Sequence, residues 1–319
     1  MADNIFRRFR EGKSGAAKGG SESLLTGRGS AEGQTQHVRE AEILAAIDRF
    51  PALPEVVSQI LNLVGAEGSS AKDMEDLVQK DMAIAGRLLK LVNSPFYGLP
   101  NRITSITQAV AIIGFGSLRS LVLAASTAKL LQRDLAAYGY LSDGLWLNAL
   151  VTGTVARRLA QHQGASREVG DEYFIAGLLR DVGMLVLGPF IEQAGQELRG
   201  PDATADILTR ERIATGFDHC WVGERVADKW TLPDDLRLAI TRHHRIPDGL
   251  SPSEIKMMAA IRIAERLAFR ANIGLVEDHP FDCQMDARLI EAAGVDASKL
   301  KEVVVELPEI VAHARSEDL

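Results

Sequence analysis

A chain of 319 residues and 34.6 kDa, 46% hydrophobic and 25% charged, is long enough for one large core or two smaller ones and has an ordinary globular composition. Its net charge of −7 and pI of about 5.6 argue against broad nonspecific binding to nucleic acid. Two distant cysteines, Cys220 and Cys283, exclude a disulfide framework and a cysteine-based zinc site and suit a reducing cytoplasm.

Met1 to Arg10 contains no secretory apolar core. Residues 10–36 are rich in Gly, Ser, Lys, Glu and Gln, so a flexible tail is expected over 1–36. Its head, Ile5-Phe6-Arg7-Arg8-Phe9, suits either a free terminus or a contact with a membrane surface or partner. Helical spacing begins after His37 with Ile43, Ala46 and Ile47, then breaks at Phe50-Pro51-Ala52-Leu53-Pro54. Pro54 suits the first turn of a helix carrying Val57, Ile60, Leu61 and Val64. Ser70 with Asp73 resembles a capping box, opening a helix that buries Met74, Leu77 and Val78. Asp81 starts another, with Ile84, Leu88, Leu91 and Val92. The loop Asn93–Pro100 is dense in turn formers, and its Phe96 and Tyr97 either anchor a partner or pack against neighbouring helices. Ser105 with Gln108 caps the next helix and Ser117 the one after it. The apolar stretch Ile106–Leu131, interrupted near Gly116, therefore reads as two buried helices and not as a membrane span.

A second set of helices follows a break around Tyr138–Asp143. Asp143 is expected to cap a helix bearing Trp146, Leu150, Val155 and Leu159, and another runs from Glu168 through Asp181. Further helices are expected near 203–215, 219–230, 233–244, 253–271 and 286–293. No series of alternating segments with hairpin turns occurs, so the fold class is all-α. There is no fixed-period repeat and no phosphate-binding glycine loop, and Gly177 inside its helix permits close packing.

Chemistry concentrates in this second set. Asp181 ends an apolar run, His219 sits at a helix start, His243 and His244 adjoin a helix end, and Glu265 follows on a later helix. Imidazoles and carboxylates converging from several helices are what a hydrolytic metal centre uses. Each also has a plainer reading. Asp181 with Gly183 suits helix-end chemistry, and His219 suits a satisfied core histidine. His243 and His244 lie about 100° apart on a helix, so that one faces solvent. Glu265, between Arg262 and Arg266, suits a solvated charge pair.

Several separate motifs carry a resemblance. Leu53-Pro54-Glu55-Val56, Asp81 to Leu91, Asn93-Ser94-Pro95-Phe96-Tyr97-Gly98, Ile106-Thr107-Gln108-Ala109-Val110 and Ile112-Ile113-Gly114 lead to Leu118-Arg119 and Leu121-Val122. Ala176 to Gly183, Gly216-Phe217-Asp218-His219, Trp230-Thr231-Leu232-Pro233 and His243-His244 follow in order. Together they resemble an HDOD domain. The resemblance implies two packed helical bundles, an N-terminal HDOD-specific one over 37–140 and an HD-like one over 141–275, with 276–319 as a C-terminal extension packed on or near them. It also implies a bacterial regulatory module related to HD phosphohydrolases but without established catalysis. With about 40 residues ahead of the domain, input is expected from a partner, a ligand or expression control.

In active HD enzymes an early His, a His-Asp pair, further histidines and a late Asp hold one or two metals. By this resemblance the early His falls near Asn148 and the doublet becomes Arg180-Asp181, while Asp181, His219, His243 or His244, and Glu265 remain. A guanidinium is always charged and cannot bind a cation. If Arg180 points inward, it replaces a metal electrostatically or, with His219 and His244, forms an anion pocket for a nucleotide phosphate. The expectation is a noncatalytic cytoplasmic module with no cofactor and no metal. It would bind signalling proteins of two-component or cyclic-dinucleotide pathways, with a nucleotide as a second ligand class and no nucleic acid. The alternative is a residual metal-dependent phosphohydrolase acting on a nucleotide or phosphodiester.

Overall fold

The computed structural model describes residues 31–316 apart from 64–69, 95, 96, 98, 196, 197, 199–204, 278, 280 and 286. Phe96 and the Ile5–Phe9 head lie outside the described residues. No strand occurs among those described, and an isolated antiparallel bridge joins Tyr140 to Leu275. The all-α expectation holds.

Helix α1 spans Ala31–Arg49 and so begins inside the segment expected to be a tail. Ala31, Glu32, Gln34 and Gln36 are good helix formers that extend the apolar turn at Ile43. Helices α2 (Glu55–Leu63), α3 (Ala71–Val78) and α4 (Met82–Asn93) follow. The Ser70–Asp73 capping box is formed in both directions, and the Asp81 side chain accepts from the Ala83 and Ile84 amides. Helix α5 (Ile106–Leu131) starts on Ser105, whose hydroxyl accepts from the Gln108 amide at 3.1 Å. It breaks at Gly114, where φ is +83°, a left-handed conformation that glycine adopts without a Cβ penalty. Ser117 is therefore not a cap as expected. It is buried inside the helix that follows the break.

Helices α6 (Gly144–His162) and α7 (Arg167–Leu179) form the centre of the molecule. The expected Asp143 cap makes no side-chain hydrogen bond, because the residue is left-handed at φ +54°. An ideal Cβ on Gly177 would lie 3.0 Å from the Gly153 Cα, and one on Gly153 would lie 2.5 Å from the Phe174 carbonyl oxygen. The two backbones touch here because neither residue has a side chain, as expected for Gly177. Helices α8 (Met184–Gln193), α9 (Ile207–Thr215), α10 (His219–Lys229), α11 (Asp234–Arg242), α12 (Pro252–Arg270), α13 (Ala287–Ala292) and α14 (Ala297–Ser316) complete the chain. Sequence periodicity did not mark α8 or α14, which carry Pro189 and Pro308 inside them.

Helix α6 packs against α7, α12 and α14, while α3 and α4 pack on α5, which in turn packs on α7. The C-terminal extension is fastened to α6 by an Arg158–Glu306 ion pair at 2.7 Å and by Lys299 donating to the His162 carbonyl at 3.0 Å. Helix α1 docks on α8 and α10 of the second set of helices. There Lys229 Nζ donates to the carbonyls of Ile47, Asp48 and Phe50 at 3.0, 2.6 and 2.7 Å, satisfying groups that a helix end leaves without partners. Trp230 Nε1 donates to the Pro51 carbonyl at 2.9 Å. Helix α5 and the run Arg167–Gln193 are long and apolar enough to cross a membrane, but 67% and 89% of their apolar windows are buried inside the protein, as in core helices. One apolar core runs from Ile43 to Ala314.

Candidate functional site

Five segments meet beside the α6–α7 contact. Helix α6 supplies Asn148, and the turn ending α7 supplies Arg180 and Asp181. The start of α10 supplies His219, the end of α11 supplies His243 and His244, and α12 supplies Glu265. All seven expected residues are brought together. Asn148, Arg180, His219 and His243 are wholly buried, Asp181 and Glu265 nearly so, and His244 is half-buried.

Local structure explains how they converge. The Asp218 carboxylate accepts from the Trp221 amide at 2.8 Å and starts α10, which aims His219 inward. An ideal Cβ on Gly183 would lie 2.0 Å from the His219 carbonyl oxygen, so only glycine lets the turn after Asp181 press against the start of α10. Helix α11 ends at Arg242, leaving His243 as its C-cap and His244 beyond it. The angular separation of adjacent helical residues no longer applies there, and both imidazoles turn inward. Glu265 is no solvated charge pair either, because α12 buries it against Arg180.

Arg180 sits at the centre of one half of the site. Its Nε donates to Glu265 Oε1 at 3.0 Å, Nη1 to the Gly177 carbonyl at 2.8 Å and Nη2 to Asn148 Oδ1 at 2.8 Å. Nη2 also lies 2.8 Å from Asp181 Oδ2, an ion pair without the alignment of a good hydrogen bond. Asn148 in turn donates its amide to the Ile273 carbonyl at 3.0 Å. Adjacent residues cannot face one another within a helix. Arg180 pairs with Asp181 because α7 ends at Leu179.

Imidazoles make up the other half. His219 Nε2 lies 3.3 Å from His243 Nε2 and 3.0 Å from His244 Nε2. Asp181 Oδ1 lies 3.2 Å from His243 Nε2 and 3.7 Å from His219 Nε2, and makes no aligned hydrogen bond. Behind His219, Glu211 of α9 accepts from the Tyr138 hydroxyl at 2.6 Å and from the His219 amide at 2.9 Å, and it faces His219 Nδ1 at 2.7 Å. His243 Nδ1 faces the Ala239 carbonyl at 3.0 Å. Sequence reasoning missed Glu211, which between Arg210 and Arg212 looks like a solvated helix charge. It also missed Cys220, whose sulfur lies within 4.8 Å of the His219, His243 and His244 ligand atoms.

Charge is strongly coupled here. Burial works to raise the Asp181 carboxyl, but Arg180, His243 and His219 outweigh it and hold the group well below the usual carboxylate range. Burial also opposes charge on His219, yet the Glu211 carboxylate holds its imidazole well above the ordinary value. His244 is pushed well below by burial and by His243, His219, Arg262 and Arg180. Burial raises the Cys220 thiol.

The two halves answer differently to a metal ion. Among Asn148, Asp181 and Glu265 a cation position exists but the guanidinium fills it, so an ion does not fit. On the imidazole side two overlapping sets could hold one, His219, Cys220, His243 and His244, and Asp181, His243, His244 and Glu265, each with its ligand atoms within 4.8 Å of one another. A cavity of about 940 Å³ opens over His244 and Glu265, with Arg242 and Arg245 exposed at its mouth. Arg180 has its Nε and both Nη atoms engaged and is fully buried, so the anion pocket expected around it does not form there.

Tyr97 is not an exposed anchor. It is buried, its hydroxyl donates to Asp171 Oδ1 at 3.1 Å, and the Arg157 guanidinium lies 4.3 Å from its ring centre. Arg157 is itself paired with Asp171 at 2.9 Å. Tyr97→Ala is expected to cost about 3–5 kcal/mol of stability, read as a lower urea midpoint, rather than leave an intact fold that has lost a partner.

The HDOD domain family model matches residues 50–246, and the chain belongs to that family. An uncharacterized protein of Treponema pallidum (strain Nichols) is 29% identical over 226 residues, 70% of this chain and 43% of the relative. The uncharacterized protein YuxH of Bacillus subtilis (strain 168) is 24% identical over 150 residues, 47% of this chain and 35% of the relative. The chain thus spans less than half the length of these curated relatives. Among solved structures, an HDOD domain protein of unknown function from Geobacter sulfurreducens aligns with a TM-score of 0.68 at 24% identity, covering 90% of this chain and 99% of that one. A proposed phosphohydrolase from Shewanella amazonensis SB2B aligns at 0.61 and 22%, covering 87% and 98%. A proposed signal transduction protein from Marinobacter aquaeolei VT8 aligns at 0.65 and 20%, covering 88% and 65%. At these identities the structural likeness shows the fold.

Proposed function

We propose that this chain is a noncatalytic signalling module of the bacterial cytoplasm that acts by binding other regulatory proteins. The supporting observation is Arg180, a fixed cation buried among Asn148, Asp181 and Glu265. Two-metal hydrolysis needs open coordination positions and a bound water. A guanidinium offers neither, and it occupies the space one ion would need. The curated relatives, more than twice as long as the segment they share with this chain, fit a module that is combined with other units. Signalling proteins of two-component or cyclic-dinucleotide pathways are the partner class. The cavity over His244, with exposed Arg242 and Arg245, supports a nucleotide as a second class of ligand.

Residual phosphohydrolase activity is the second reading, favoured by the convergence of Asp181, His219, His243, His244 and Glu265 at one end of the second set of helices. Hydrolysis of bis(p-nitrophenyl) phosphate and of cyclic and linear dinucleotides, with Mn²⁺ or Fe²⁺ supplied, separates the two. No turnover above the metal-only control is expected. Turnover abolished by His243→Asn would overturn the noncatalytic reading.

A further inference from the structure

Another cavity, of about 390 Å³, lies on the far side of α6 and falls within the size range of small-molecule sites. Its floor is one face of that helix, formed by Leu150, Thr154, Arg157, Arg158 and Gln161. Arg157 comes nine residues after Asn148, about 180° around the helix, so this cavity and the imidazole site occupy opposite faces of α6. The end of α4 with Tyr97 forms one wall and α14 another.

The lining changes character along this floor. Helix α14 runs antiparallel to α6, since Lys299 reaches His162 and Glu306 reaches Arg158. Ile310 and Ala314 therefore lie toward Leu150 and make an apolar end, joined by Phe174, which faces Gly153. Leu91 adds to the apolar lining. Helix α7 is antiparallel to α6 as well, with Gly170 against Arg157, which carries Arg167 toward Gln161. Arg157, Arg158 and Arg167 thus gather at the opposite end.

Charge at that end is unbalanced. Asp171 pairs with Arg157 at 2.9 Å and Glu306 with Arg158 at 2.7 Å, two carboxylates for three guanidiniums. Arg167 donates Nη1 to an uncharged group, the Ile112 carbonyl, at 3.1 Å. Among the described residues its Nε and Nη2 meet no acceptor. Nor does Arg158 Nη2, since Nε serves Glu306 and Nη1 serves Gln161. Glu309, exposed, and His313, half-buried, lie farther along α14 toward the apolar end. Guanidinium forks that retain free donors suit a carboxylate. The apolar end suits an alkyl chain. Arg158 to Leu150 is eight residues, about 12 Å of helix. At roughly 1.25 Å of reach per carbon, from C–C bonds of about 1.5 Å, that length suits a chain of about eight carbons with its head group.

We infer that this cavity binds one medium-chain carboxylate, its head on Arg158 and Arg167 and its chain along α6 toward Leu150, Ile310 and Ala314. The ligand would bridge α4, α6, α7 and α14, and so tie the C-terminal helix to the N-terminal bundle. This holds whatever the imidazole site does, because the two lie on opposite faces of α6.

The test titrates sodium octanoate into the full chain by isothermal calorimetry, with octylammonium as the charge-reversed control. One octanoate per chain is expected, together with a rise in Tm. Affinity should gain about fourfold per methylene from pentanoate to octanoate, as the chain is buried. Arg158→Gln combined with Arg167→Gln changes two exposed side chains and should weaken octanoate roughly tenfold or more. Ile310→Trp, checked for an intact helical fold by circular dichroism, should fill the apolar end and flatten the chain-length series. Arg242→Gln, at the cavity over His244, should leave octanoate binding unchanged. Four results would each overturn the inference: no binding of octanoate, octylammonium binding as tightly, affinity undiminished in the double arginine variant, or affinity lost through Arg242→Gln.

Discussion

Arg180→Met is expected to lower the free energy of unfolding by about 3–5 kcal/mol, the usual cost of removing one member of a buried ionic cluster. Methionine fits the space and is flexible, so packing is not what fails. What fails is electrostatics: Asp181 and Glu265 stay buried and lose the cation between them, and Asn148 Oδ1 and the Gly177 carbonyl lose their donors. A urea titration should show a lower midpoint with an unchanged slope. Arg180→Lys keeps the charge but cannot reproduce the planar fork that reaches Glu265, Asn148 and Asp181 together, and it should fall between the two. Adding Glu265→Gln to Arg180→Met should recover part of the loss, because the double variant buries one unpaired carboxylate instead of two. A double variant no more stable than Arg180→Met would show that Glu265 is not held by this charge.

Glu211→Gln should be the second large loss, again about 3–5 kcal/mol, since it neutralises a wholly buried partner of His219. The carboxylate receives the Tyr138 hydroxyl and the His219 amide and faces Nδ1 of the ring. An amide has one oxygen, so at least one of these donors must face an NH₂ group instead. The ring of His219 would then be free to change tautomer or rotate. An unchanged urea midpoint for Glu211→Gln would show that Glu211 does not hold the ring.

Sequence reveals what depends on neighbours along the chain. The Ser70–Asp73 box, the Asp81 cap and the Ser105 cap are contacts within a few residues, and each forms. Gly114 shows the limit. Several residues in that stretch could have carried the break, and only packing selects the one at φ +83°. Helices α8 and α14 were hidden because proline reads as a stop, while tertiary packing retains Pro189 and Pro308 within helices. The seven site residues were legible from the order of motifs. Their geometry was not, because it rests on where α7 and α11 stop: one residue earlier or later would turn Arg180 or His244 elsewhere. Glu211 carries no local signal at all. Its partners are a tyrosine 73 residues away and a histidine eight residues on across a turn.

The docking of α1 has a consequence for synthesis. Lys229, which holds the end of that helix, lies 182 residues beyond Ile47. A chain emerging from the ribosome exposes Ile43, Ile47 and Phe50 long before α8 and α10 exist to cover them. Contacts of such long sequence separation also form late in refolding, since loop closure precedes their reward. Helix α1 is thus made early and seated late, and its apolar face must wait uncovered until α8 and α10 have been synthesised.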